Sequence, residues 1–207
     1  MKRHRSIIAI LAVSMIFAAS ITALGQPETK LQVEPSCDVT LHLIIGSNDA
    51  TQRNELPANL AAISRQLKGA MPFPNYRLAS TFLGRVSNSG NFEYKSISNI
   101  FGESSDLRSQ TFLEWSLVNL KGLPTAQGGQ GFQAVNFRFG AKVPVMTGGT
   151  VKDESGKATP VVNYESIGLT PRGVGLAENV PTMIGTLNLP GANDTIFLVM
   201  TVKGVDM

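Results

Sequence analysis

Histidine, cysteine and tryptophan are almost missing from this chain: two, one and one in 207 residues. His4 sits in the basic opening stretch, so the body of the protein holds His42 alone. No Ser-His-Asp or Cys-His arrangement can be built there without it. Cys37 has no second cysteine for a disulfide, and Cys37 with His42 gives neither the spacing nor the number of ligands that zinc requires. With no internal disulfide to be made, stability has to come from an apolar core.

An excess of positive charge is also lacking once the first residues are set aside. Lys2, Arg3 and Arg5 precede an apolar run over residues 7–19, and Ala23 and Gly25 then supply the small residues that a signal peptidase reads. The pattern predicts a signal peptide over residues 1–25, cut between Gly25 and Gln26, and hence an exported protein of the periplasm or outer envelope. A membrane contact is expected only through this segment, and only if it stays uncleaved. Removing those three cations leaves as many as the 15 acidic residues. With Arg65 and Lys68 as the densest positive cluster, no electrostatic footprint for nucleic acid remains.

Phosphate and calcium signatures are absent too. "GGQG" at 128–131 is not followed by a helix that would aim N–H groups at a phosphate. "SNDATQRNE" carries only Asp49 and Glu55 as carboxylates and fails the calcium-loop pattern. No cofactor or metal is expected.

What is present is alternation. After a polar, proline-bearing leader over 26–38, Val39, Leu41, Leu43 and Ile45 alternate with Thr40 and His42, the period of a half-buried strand. That period puts His42 on the solvent side. Pro57 opens a helix with Leu60, Ile63 and Leu67 on one face, closed by Gly69 and Pro72. Residues 75–100 read as two strands joined over 87–91, where Asn88-Ser89-Gly90 supplies turn residues. Tyr76, Leu78 and Phe82 share a face of the first, and Phe92 and Tyr94 a face of the second. From Thr111 on there is no helical period. Leu113, Trp115 and Leu117 alternate, then Val135, Phe137, Phe139, Ala141 and Val143. A Gly/Ser/Lys-rich loop over 147–160 and strands over 161–170, 182–189 and 195–203 follow. "TIFLVMTVK" is apolar on both faces and therefore central. The fold class is α+β, mostly β: a β-α-β-β module over 39–110, then an antiparallel β-rich module over 111–207, or one continuous domain containing both.

Four stretches, "GAKVPV" from Gly140, "VNYESIGLTP" from Val162, "AENVPTMIGTL" from Ala177 and "TIFLVMTVK" from Thr195, resemble in order the closing strands of bacterial secretins, the outer-membrane channels of type II and III secretion. The chain also resembles small exported bacterial envelope proteins with no assigned function. It departs from the secretin pattern between the last two strands, where "NLPGAND" replaces a V-P-x-L-G-x-I-P-type segment. The resemblance implies a non-catalytic envelope protein, associated with secretion and acting through protein contacts.

Pro144, near an expected strand end, marks Val143, Pro144 and Val145 as an exposed edge, open to strand addition by a protein partner or by a second copy. The alternative is an extracytoplasmic hydrolase using two of the strand carboxylates Glu93, Glu114 and Glu165. Glu165 shares its parity with Ile167 and Leu169, which marks the point where that strand face leaves the core. No catalytic residue is assigned.

Overall fold

The computed structural model describes residues 35–49, 56–98, 100, 110–125, 129–152, 154–189 and 194–205. The expected cleavage site at Gly25 and Gln26, and all but the end of the leader, lie outside the described residues. Among the described residues the chain is mostly strand with one short helix, the α+β, mostly β class expected.

Nine strands among the described residues form two antiparallel sheets. β1 (Ser36–Ser47), β2 (Asn75–Ser87), β8 (Thr182–Asn188) and β9 (Thr195–Val205) make the first, in the order β2-β1-β9-β8. β3 (Gly90–Ser98), β4 (Thr111–Pro124), β5 (Gln130–Lys152) and β6 (Ala158–Leu169) make the second in sequence order, and β7 (Arg172–Ala177) pairs with β5 beside β6. The two sheets face each other. Val39, Leu41 and Leu43 of β1, with Ile196, Leu198, Met200 and Val202 of β9, share one buried cluster with Leu113, Trp115, Leu117, Phe137 and Phe139 of the second sheet.

β9 is central, as its two apolar faces require, because both of its sides are used. One side meets the second sheet. The other, Phe197 and Val199, is covered by α1 (Ala61–Ala70), whose Ile63 and Leu67 pack there with Leu60, Ile44 and Tyr76. A short 3-10 turn, Ala58–Leu60, starts at Pro57 and leads into the helix. The helix runs through Gly69 and stops where Met71 turns extended, the conformation that Pro72 imposes on the residue before it. Tyr76 ties the helix end to the sheet: its hydroxyl donates toward the carbonyls of Leu67 at 3.1 Å and Met71 at 3.3 Å.

Several expectations are corrected by long-range pairing. β2 and β3 do meet at a turn, with Ser89 at φ 63°, yet β3 pairs with β4 in the other sheet. The hairpin therefore crosses from one layer to the next. Tyr76, Leu78 and Phe82 do not share a face, because the β1–β2 register slips between Leu43 and Ile44. Tyr76 and Leu78 meet the helix, and Phe82 meets the opposite sheet. β1 is covered on both faces along its second half, since the helix closes the side that alternation assigned to solvent. The expected loop over 147–160 is largely ladder: β5 reaches Lys152 and β6 starts at Ala158. A hairpin satisfies its own backbone whatever its side chains, so glycines and lysines there do not stop pairing. β7 is a strand that the sequence does not signal, "RGVGLA" being too glycine-rich to stand out.

Val143, Pro144 and Val145 have no ladder partner on the β4 side among the described residues, but the expectation of an exposed strand end there is corrected. They lie inside β5, not at its end, and pair with Glu165, Tyr164 and Asn163 of β6. Val143 is only 6% exposed, and Pro144 and Val145 are half-buried. The β4–β5 register ends at Phe112↔Lys142, so on that side Pro144 has no ladder bond to break among the described residues. A proline, a flanking lysine and the register shift after Met146 are the devices that blunt an edge. Val143→Lys is accordingly expected to destabilise the fold by about 2–4 kcal/mol, through a buried charge beside the core. Urea unfolding of the purified variant measures it, and an unchanged midpoint would restore the reading of Val143 as an exposed edge residue.

Candidate functional site

Residues paired across antiparallel strands point to the same side of a sheet. In the second sheet Leu113 and Ala141 point inward and are buried, which places their chain neighbours on the outer face. Three rows of that face follow from the register. Ile97, Phe112, Lys142 and Ser166 form one, Lys95, Glu114, Gly140 and Gly168 the next, and Glu93, Ser116 and Arg138 the third.

The first two rows, with Arg138 of the third, line an open groove of about 860 Å³ that crosses β3, β4, β5 and β6. Its size is that of a ligand site, which typically encloses ~300–1,000 Å³. Ile97 is 57% exposed and Phe112 44%, and Phe112 meets Tyr164 edge-on at 5.7 Å between ring centroids. Three large apolar side chains thus form a contiguous exposed patch along the rim. Lys95, Arg138 and Lys142 line the groove against the single carboxylate Glu114. Arg138 pairs with Glu114 at 3.2 Å, and Lys95 with Glu93 at 2.8 Å. Among the described residues Lys142 has no ion-pair partner.

The expected carboxylates do not converge. Glu165 lies on the opposite face of its strand from Tyr164 and Ser166, next to Val143, exposed where that face leaves the core. Glu93 and Glu114 share the outer face, but each is engaged by a cation. The hydrogen bond from Lys95, followed by its charge, holds the Glu93 carboxyl below the usual range. A glycosidase acid requires the reverse, a carboxyl kept protonated by its surroundings.

His42 is not a surface residue. It is 6% exposed, with Nδ1 2.9 Å from the Thr81 hydroxyl. It points to the helix side of the first sheet, with Thr81 of β2 and Val199 of β9 beside it. Burial lowers its pKa, so the ring is held neutral. The stability this contributes is complete above the ordinary histidine pKa of ~6.5 and is lost as pH falls through the depressed folded value. Thermal melting from pH 7.5 down to 5 should therefore show a drop that is shallower in His42→Gln. Identical acid limbs in both proteins would remove His42 from the account. Cys37 is similarly buried, its thiol 3.5 Å from the Val86 carbonyl and its pKa pushed up by desolvation and then by Asp38. An inert thiol of this kind is a packing residue.

Among the described residues no group of three His, Cys, Asp or Glu gathers at one place. Set against protein-family models and curated proteins, the sequence matches none. The groove itself was invisible in the sequence, because Gly140 and Gly168 become neighbours only through the β5–β6 register. The one local trace was the polar parity of Asn136, Arg138 and Lys142, which marks an outward face without showing its shape.

Proposed function

We propose that the chain is a non-catalytic exported envelope protein that works by holding a partner protein against the outer face of its second sheet. The observation that carries this reading is the exposed Ile97–Phe112–Tyr164 patch on the rim of the groove. A sheet face that only meets water alternates polar residues outward, whereas a contiguous apolar patch with a charged border is the anatomy of a contact surface. The secretin-like order of the last strands supports an envelope role. In this reading, contact is made by a face and not by adding a strand at Val143–Val145, where Pro144 and the register shift oppose it.

The test separates contact from chemistry. Ile97→Lys and Phe112→Lys, both at exposed positions, should melt within about 0.5 kcal/mol of the parent yet reproduce the cellular phenotype of a deletion. Glu93→Gln, Glu114→Gln and Glu165→Gln should not reproduce it. If a carboxylate variant alone abolishes function in a folded protein, the hydrolase reading replaces this one.

A further inference from the structure

Gly140 and Gly168 stand directly opposite each other in the β5–β6 ladder. The outer side-chain layer is therefore missing over two adjacent positions at the floor of the groove, where the strands approach so closely that a β-carbon on Gly168 would stand 2.6 Å from the Phe139 carbonyl oxygen. Lys142 and Ser166 border this gap on one side and Arg138 and Thr170 on the other, with Glu114 across from Gly140. Same-face neighbours along a strand stand ~6.6 Å apart, within reach of a lysine's flexible stem. Two cations, two hydroxyls and the Glu114 carboxylate consequently ring a floor that is exposed at Gly168 and half-covered at Gly140. The apolar pair Ile97 and Phe112 continues the Lys142 row.

We propose that this gap is a carboxylate-binding site, and that the groove takes an extended peptide in which an acidic residue lies next to an aromatic or large aliphatic one. The proposal rests on the protein-contact reading above and specifies the partner's chemistry. The guest carboxylate sits over Gly140 and Gly168, where Lys142 donates to it along with the Ser166 and Thr170 hydroxyls. Its apolar neighbour lies on Phe112 and Ile97. Glu114 opposes the guest: its side chain leans over Gly140, only 3.3 Å from where a β-carbon would stand, and it holds Arg138 at 3.2 Å. The groove crosses three inter-strand gaps, about 14 Å, which matches roughly four extended residues. An acyl chain would instead need an apolar wall unbroken by Arg138 and Lys142.

The expected signs differ among variants, which makes the test specific. The probes are fluorescein-labelled Gly-Glu-Phe-Glu-Leu-Gly and its counterpart with lysine in place of both glutamates, titrated with the purified protein and read by anisotropy. The acidic peptide should bind saturably, more weakly at higher salt, and the lysine peptide about tenfold less well. Lys142→Glu should weaken the acidic peptide about tenfold, and Glu114→Gln should tighten it about threefold. Gly140→Ala fills the gap against the flexible Glu114 side chain and should weaken binding while melting like the parent. The amide resonances of Gly140 and Gly168 should shift on titration. Equal binding of both peptides, or affinities unmoved by Lys142→Glu and Glu114→Gln, would overturn the proposal. Binding of phenylpropionate without binding of the peptide would overturn it in favour of a small-acid site. If no probe binds and yet Ile97→Lys and Phe112→Lys still abolish function in cells, this inference falls and the contact reading stands.

Discussion

Leu198→Asp is expected to unfold the whole described sandwich, and not the last strands alone. Leu198 is fully buried in β9, paired with Leu43 on one side and Gly185 on the other, and faces the second sheet. β9 joins the earliest described strand to one of the latest, so its loss disconnects β1 from β8. A carboxylate placed there has no partner. An unpaired buried charge together with the lost apolar contacts exceeds about 4 kcal/mol, against a total stability of ~5–15 kcal/mol for a domain. Circular dichroism and near-ultraviolet spectra should show loss of tertiary packing together with sheet. Leu198→Ala, which leaves only a cavity, should stay folded with a loss of about 2–5 kcal/mol.

Trp115→Ala is the second large effect. Trp115 is 1% exposed on the inward face of β4 and gathers Phe92 at 4.6 Å, Tyr94 at 6.3 Å and Phe137 at 6.4 Å between ring centroids. Phe92 and Tyr94 come from β3 and Phe137 from β5, so the indole fixes β4 between its two neighbours. Truncation should cost about 3–5 kcal/mol, read from urea midpoints. Part of that loss is offset because the indole N–H makes no hydrogen bond among the described residues, and Trp115→Phe should accordingly lose much less than the alanine variant. If Trp115→Phe matched Trp115→Ala, the aromatic cluster would not be what holds β3 to β4.

Local pattern carried some of this architecture and could not carry the rest. β9 was legible because a strand apolar on both parities can only be central, and α1 because Leu60, Ile63 and Leu67 repeat at helical spacing. The burial of His42 was not legible: alternation along β1 describes one face, while the other was closed by a helix lying on it. The sheet to which β3 belongs was hidden for a related reason, since Phe92 and Tyr94 would alternate equally well beside β2 or β4. Pro144 misled because a proline near an apolar run reads as a strand end, whereas here it occupies a place where the neighbouring strand has already stopped. The groove depends on register, bringing together Lys95, Phe112, Gly140 and Gly168 from four strands, and no local pattern encodes that.

The central claim, contact through the outer face of the second sheet, is tested most directly by placing a photo-crosslinking amino acid at Ile97 in cells that make the protein. The control is the same group at Leu83, which is 73% exposed on the outer side of the other sheet. The account predicts a discrete crosslinked protein from Ile97 that disappears with Phe112→Lys, and none from Leu83. Equal crosslinking from both positions, or none from Ile97 in a folded protein, would contradict it.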